Sequence, residues 1–340
     1  MLLSEFDYEL PKELIAQTPI EPRDHSKLLV LSKSQGTLKD AFFYDILNEL
    51  WPNDVLVLNS TKVINARLKW KIDGVSKEVE VFLHKKVSEN SFDCLIYPWK
   101  KFKIWTIITF WDGLEWTVKE VSHSWRIVTF NIWGEEFFKV IEQIWEIPLP
   151  PYIKEKSEPS RYQTVYSQEK GSVAAPTAWL HFTEELIEKL KEKGVLIEKV
   201  TLHVGLWTFK WVEVEDITHH TMHTEWCSIS QDVAERLNTY KSQGKRIIAV
   251  WTTSVRTLES FCWDNWVLSF WGTETQIFIY PGYTWKFVDA IITNFHLPKS
   301  TLLMLVSSFA GKENIKKAYQ HAIDQKYRFF SFGDALFLKD

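Results

Sequence analysis

The chain has 340 residues, 45% hydrophobic and 25% charged, enough for two domains with separate cores. Its net charge of −4 argues against a generic polyanion binder, although basic clusters stand at Lys69-Trp70-Lys71, Lys100-Lys101-Phe102-Lys103 and Lys326-Tyr327-Arg328. Three scattered cysteines (Cys94, Cys227, Cys262) form no CxxC pair and read as reduced thiols rather than zinc ligands, so no metal is expected.

The N-terminus carries Glu5 and Asp7 and lacks the apolar stretch of a signal peptide, and a cytoplasmic location is expected. The longest apolar run, Leu302 to Val306, is too short to span a membrane. In chain order, residues 1–68 predict a short helix at Pro11–Gln17 and strands at Lys27–Leu31 and Val55–Asn59. Residues 69–146 then alternate with period two in short runs, at Glu78–Phe82, Phe92–Ile96, Thr106–Phe110, Trp116–Val121 and Arg126–Ile132, with a helix only near Phe137. That spacing predicts a small antiparallel β-barrel. The proline-rich stretch Ile147-Pro148-Leu149-Pro150-Pro151-Tyr152 reads as a stiff exit from it.

Beyond residue 153, strands and helices alternate. Helices are predicted over Glu184–Lys193 with Thr183 as N-cap and Gly194 as stop, over Gln231–Ser242, after Ser254, and from Thr301. Strands are predicted at Lys199–Val204, Arg246–Val250, Gln276–Tyr280 and Phe287–Asn294. The expected fold is α/β: a mixed-sheet α/β domain built from both chain ends (1–68 and 147–340) with the small antiparallel β-barrel (69–146) inserted.

Three of these strands run into polar turns: Thr201-Leu202-His203-Val204-Gly205, Trp251-Thr252-Thr253-Ser254-Val255-Arg256, and Thr293-Asn294-Phe295-His296-Leu297-Pro298-Lys299-Ser300. Ligands of open α/β sheets bind beyond the carboxyl ends of strands. If the three strands are parallel neighbours, His203, Thr252, Thr253, Ser254, Arg256, His296 and Lys299 share one crevice suited to a carboxylate or phosphate. The competing reading makes the hydroxyls plain N-caps and Arg256 only a surface ion pair. His219, His220 and His223 lie in a Thr-rich stretch without the HExxH pattern and read as a polar loop or a substrate contact rather than a metal site. Tyr280-Pro281-Gly282-Tyr283 has the residues of a type II turn. No GxG and no GxxxxGK[ST] occurs, so the glycine-rich loops of dinucleotide enzymes, many methyltransferases and P-loop proteins are missing.

Longer motifs carry a resemblance: Phe6-Asp7-Tyr8-Glu9-Leu10-Pro11, Val57 to Leu68, Leu149-Pro150-Pro151-Tyr152-Ile153, Ala174-Ala175-Pro176-Thr177-Ala178, Leu180-His181-Phe182-Thr183, Thr252 to Ser260, Ile277 to Tyr283 and Thr293 to Gly311. In this order they resemble the S-adenosylmethionine:tRNA ribosyltransferase-isomerases of queuosine biosynthesis. The resemblance implies that S-adenosylmethionine is a co-substrate giving up its ribosyl part to the aminomethyl-deazaguanine at the tRNA wobble position. Epoxyqueuosine forms, and adenine and methionine leave. It implies as partners the anticodon arm of tRNA and S-adenosylmethionine, no membrane, and a monomer. His203 and His296 are the candidates for proton transfer, because imidazole ordinarily titrates near neutrality. Arg256 and Lys299 would anchor a carboxylate or phosphate beside Thr252, Thr253 and Ser254; His181, Phe182 and Tyr283 would line the nucleoside pocket. Thr177, Asn294, Ser300 and Arg67 are further substrate-binding candidates from the same motifs. A non-catalytic RNA-binding protein and an ordinary methyltransferase are the alternatives.

Tryptophan is abnormal here: 18 Trp stand against 12 Gly. Trp179, Trp207 and Trp251 occupy places where the resembled motifs carry Gly, and Trp70, Trp99, Trp105 and Trp111 fall where turns or strand ends favour Gly. Strain and overpacking are expected at these positions.

Overall fold

The computed structural model describes residues 1–63, 67–70, 79–97, 99–109, 114–122, 125–144, 169–172, 181–204, 212, 214–263 and 266–340. Thr177, Trp111, Trp179 and Trp207 lie outside them. The described residues fall into two compact units. One takes in Met1–Lys62, Glu169 and the described part of Ala175–Asp340, the other the described parts of Val63–Pro150 and Lys170–Ala174.

The strands are β1 (Lys27–Ser32), β2 (Leu38–Phe42), β3 (Val55–Asn59), β4 (Thr61–Val63), β5 (Arg67–Trp70), β6 (Val79–Lys86), β7 (Ser91–Tyr97), β8 (Ile107–Thr109) and β9 (Glu115–Ser122). They continue with β10 (Trp125–Phe130), β11 (Glu169–Ser172), β12 (Leu196–Leu202), β13 (Glu225–Ile229), β14 (Ile247–Val250), β15 (Trp271–Thr275), β16 (Ala290–Asn294) and β17 (Ala335–Lys339). The helices are α1 (Ile46–Glu49), α2 (Gly134–Ile144), α3 (Glu184–Glu192), α4 (Gln231–Ser242), α5 (Thr252–Phe261), α6 (Thr301–Ala310) and α7 (Lys312–Asp324).

Nine strands form the large mixed sheet in the order β15-β13-β12-β3-β14-β16-β17-β1-β2. Its centre, β12-β3-β14-β16, is wholly parallel. Strand β3 reads Val-Leu-Val-Leu-Asn and is buried along its whole length, as are β14 and β16. Continuous apolar runs are what a parallel strand covered on both sides requires. Helix α5 packs on β12, β3, β14 and β16, and α4 on β12. At β16 the sheet changes direction: β17 runs antiparallel to it, with Asn294 opposite Ala335, and β1 runs parallel to β17. The carboxyl ends of the four central strands therefore share an edge with the amino ends of β17 and β1.

The second unit holds six strands, antiparallel throughout, in the order β5-β6-β7-β10-β9-β8. Its inward positions alternate as the period-two pattern predicts: Phe92, Cys94 and Ile96 are buried on β7, and Arg126, Val128 and Phe130 on β10. Phe137 of α2 stacks on Phe92, with ring centroids 5.1 Å apart. Among the described residues β5 and β8 are the edges, so the sheet is a half-barrel rather than a closed one.

Sequence periodicity locates most elements, and α4 and β3 keep their predicted ends. Three expectations change. The helix at Pro11–Gln17 reduces to a single 3-10 turn, Lys12–Leu14, because the backbone beyond it is taken by Phe329. The Ala16 N–H donates to Phe329 O, and the Phe329 N–H donates to Leu14 O. The strand expected at Gln276–Tyr280 lies earlier, at Trp271–Thr275, paired to β13. Thr252, Thr253 and Ser254 are not caps but the first turn of α5, and the N-cap is Trp251.

The Tyr280–Tyr283 turn forms as its residues predict, with Gly282 at φ 104° and the Tyr283 N–H bonded to Tyr280 O at 3.0 Å. Glu259 of α5 organises the chain that follows. Its buried carboxylate accepts from the Tyr283 hydroxyl and from the backbone N–H groups of Lys286, Phe287 and Val288, each at 3.0 Å. This clamp sets the path into β16. Glu259→Ala leaves these donors unpaired at about 1–3 kcal/mol each when buried. We expect a loss of at least about 3 kcal/mol, read as a fall in the urea midpoint with unchanged slope. A midpoint equal to wild type would refute the clamp.

Candidate active site

The carboxyl edge of the parallel strands is held together by Asn59, the last residue of β3. Its side chain is inaccessible to solvent and makes four hydrogen bonds. Oδ1 accepts from the N–H groups of Leu202 and Thr61, each at 3.1 Å; Nδ2 donates to Leu202 O at 3.0 Å and to Thr253 Oγ1 at 3.1 Å. One carboxamide thus joins the end of β12, the turn after β3 and the first turn of α5. Thr61, placed by it, meets His203 Nδ1 through its hydroxyl at 2.8 Å. The imidazole of His203 also lies flat on Trp226, with centroids 5.0 Å apart. Burial pushes its pKa down to about 4. Nε2 makes no hydrogen bond to the described residues and is left for a ligand.

His296 follows β16. Its N–H donates to the Tyr319 hydroxyl, its carbonyl accepts from the Tyr8 hydroxyl, and its Nε2 lies 3.1 Å from Thr293 Oγ1. Burial holds its pKa at about 3. Strands β12 and β16 are three places apart, so the two histidines sit at opposite ends of an edge about 14 Å long at the backbone. The expectation that they titrate near neutrality does not survive burial: both are neutral imidazoles.

His181 joins the same edge at β16. Asn294 Nδ2 donates to Phe330 O at 3.1 Å and reaches His181 Nε2 at 3.2 Å. Since that amide nitrogen is a donor, Nε2 must accept, and the imidazole proton sits on Nδ1, which donates to Ser26 Oγ at 2.7 Å. Burial and then the guanidinium of Arg328 lower its pKa to about 3. Phe182 is fully buried, edge-on against Phe43.

Other sequence candidates have structural employment. Arg256 is buried and ion-paired with Glu225. Thr252, Thr253 and Ser254 are all nearly inaccessible, so their contribution to the edge is the free backbone N–H groups of the first turn of α5. Lys299 pairs with Asp7 at 2.8 Å, and Ser300 caps α6 by accepting from the Leu303 N–H. Tyr283 is held by Glu259. Arg67, in the second unit, pairs with Glu80 at 3.0 Å. Asn59, Thr61 and Ser26 were missed as site residues. The available signal for Asn59 was one polar residue closing an otherwise apolar strand. Among the described residues no group of three or more His, Cys, Asp or Glu could hold a metal ion.

Trp251 stands at the tip of β14 with φ 74° and ψ 157°, a combination that is essentially confined to glycine and costs other residues about 1–3 kcal/mol. Its indole is 4% exposed, and its Nε1 has no hydrogen-bond partner among the described residues. Trp105 also has a left-handed backbone, at φ 67°, but its ring is 67% exposed under Lys119, so there the expected overpacking does not arise. Trp70 ends β5 and Trp99 opens a 3-10 turn.

A family model described as "Queuosine biosynthesis protein" matches residues 3–338. The chain belongs to that family. A crystal structure of the S-adenosylmethionine tRNA ribosyltransferase of Thermotoga maritima is 37% identical in sequence. It matches over 98% of this chain and 100% of its own, with a TM-score of 0.57. The α/β fold with its separate antiparallel sheet is thus that of a queuosine biosynthesis protein, and the role of the chain is in tRNA modification for queuosine.

The neutral histidines give a pH prediction. In the unfolded chain His181 and His296 titrate near 6.5, and in the folded protein near 3. Between these values the unfolded chain binds more protons, so the stability they contribute is complete above 6.5 and declines as pH falls towards 3. The slope is at most about 1.4 kcal/mol per pH unit for each histidine. Urea midpoints taken from about pH 7 down to about pH 5 will show this slope, reduced in His296→Asn. An unchanged slope in the variant would contradict a neutral buried His296.

Proposed function

We propose that the chain is an S-adenosylmethionine:tRNA ribosyltransferase-isomerase acting on the aminomethyl-deazaguanine at the wobble position. The ribosyl part of S-adenosylmethionine moves to the exocyclic amine, adenine and methionine leave, and the sugar is rebuilt as the epoxycyclopentanediol of epoxyqueuosine. The observation that carries this reading is the 37% identity to a ribosyltransferase over the full length of that protein. A cytoplasmic monomer that grips the tRNA anticodon arm fits the reading. Among the described residues no helix is long and apolar enough to cross a membrane.

The chemistry needs a base to remove a proton from the ribose carbon beside the sulfonium, and a proton for the departing adenine. His203 suits the role of base. With a pKa near 4 it is unprotonated at neutral pH, and Thr61 engages Nδ1 while Nε2 has no hydrogen bond among the described residues. His296, neutral at the other end of the edge, serves the adenine end as an N–H donor. The backbone N–H groups of the first turn of α5 face the anionic part of the ligand.

The deciding experiment is adenine release from S-adenosylmethionine with and without tRNA carrying the aminomethyl-deazaguanine base. Release that requires this tRNA is expected; folded protein that releases none would sink the reading. His203→Gln should lower kcat about 100-fold or more while the KM for S-adenosylmethionine changes little. Wild-type turnover would remove His203 from the chemistry.

Trp251→Gly should tighten S-adenosylmethionine binding about fivefold or more, about 1 kcal/mol, by relieving the strained turn that begins α5. Titration calorimetry of the two proteins is the check, and equal affinities would contradict it.

A further inference from the structure

Where the sheet changes direction, the amino ends of β1 and β17 meet the carboxyl end of β16. Next to that junction lies a small cleft, lined among others by Pro19, Arg23, Ser26, His181, Arg328 and Ser331. We propose that this cleft is an oxyanion subsite, with Arg23 and Arg328 as the binding cations and Ser26 as a neutral donor. The proposal rests on the ribosyltransferase reading for the identity of the anion, which is the methionine carboxylate of S-adenosylmethionine or a backbone phosphate of tRNA.

Four observations support it. Two guanidiniums border one small cleft, and both act on the buried imidazole of His181, which lines it too. Among the described residues Arg328 is held only loosely: Nη1 lies 3.3 Å from Thr18 O and Nη2 3.4 Å from Asp334 Oδ1, which leaves donors for a ligand. Ser26 is fully buried and accepts from His181 Nδ1, which leaves its own proton to donate into the cleft. His181 is kept unprotonated on Nε2 by the Asn294 amide, so it positions Ser26 rather than adding charge. Planar guanidinium forks of this kind match carboxylate and phosphate geometry.

The subsite can be tested without turnover. Thermal unfolding is followed while chloride is exchanged for inorganic phosphate at constant ionic strength, because phosphate also stabilises proteins by general exclusion. Wild type and a Lys316→Gln surface control should gain more in Tm than Arg23→Gln and Arg328→Gln. Equal gains in all four proteins would overturn the subsite even if the enzyme turns over as proposed. With active enzyme, the same two variants should raise KM about tenfold or more for one substrate, with kcat nearly kept. A rise for S-adenosylmethionine identifies the carboxylate, and a rise for tRNA identifies the phosphate. No change in either KM would overturn the assignment, whereas a wild-type enzyme without ribosyl transfer would refute only the function.

A second inference rests on the backbone alone. Among the described residues, seven non-glycine residues have positive φ, and three of them are tryptophan: Trp105, Trp251 and Trp266. Eighteen tryptophans in 340 residues would place fewer than one there by chance. Glycine is the residue that such backbone favours. We infer that one codon written here as tryptophan is read as glycine in the cells that make this protein. UGA is a stop in the common code and a sense codon in some translation systems, so it is the codon that allows this. Peptide mass spectrometry of protein isolated from those cells should find Gly at 105, 251 and 266; Trp at these positions overturns the inference.

Discussion

The carboxamide of Asn59 is the constraint on which the carboxyl edge of the sheet depends. A parallel sheet supplies strand ends at regular spacing but does not by itself aim the turns that follow them. Asn59 does so by occupying all four of its hydrogen-bonding positions with groups from β12, the turn after β3 and α5. In a site closed to water no solvent can replace a lost partner, so such a group holds its neighbours in one arrangement. His203 inherits its orientation through Thr61, two residues further on.

Burial sets the chemistry of the three histidines. Each lies in the fold at a place where a charged imidazole would be poorly solvated, and each therefore stays neutral. A neutral imidazole is a base or a hydrogen-bond donor, not a stored acid. His203 keeps one ring nitrogen without a hydrogen bond among the described residues, His181 is engaged on both sides by Ser26 and Asn294, and His296 is fixed through its backbone by two tyrosine hydroxyls. The same residue type thus does three different jobs along one sheet edge.

Much of the fold was legible because apolar runs and period-two alternation report burial directly. Helix α4 and strand β3 are the clearest cases. The site was less legible, because residue type names a chemical capacity and not its employment. Arg256, Lys299, Ser300 and Tyr283 had the right chemistry in the right motifs, yet each is tied to a partner elsewhere in the structure. Ser26 and Arg328 are distant in sequence and come together only because β1 and β17 are neighbours across from β16.

The sequence by itself determined the α/β class, the inserted antiparallel unit, the family, and the need for glycine-like backbone at position 251. These follow from local periodicity, motif order and turn chemistry, which are written in neighbouring residues. Tertiary structure alone decided the order of the nine strands, the protonation of the histidines and which cations are already paired. Those depend on contacts between segments that are not neighbours in sequence, and on the solvent that such contacts exclude.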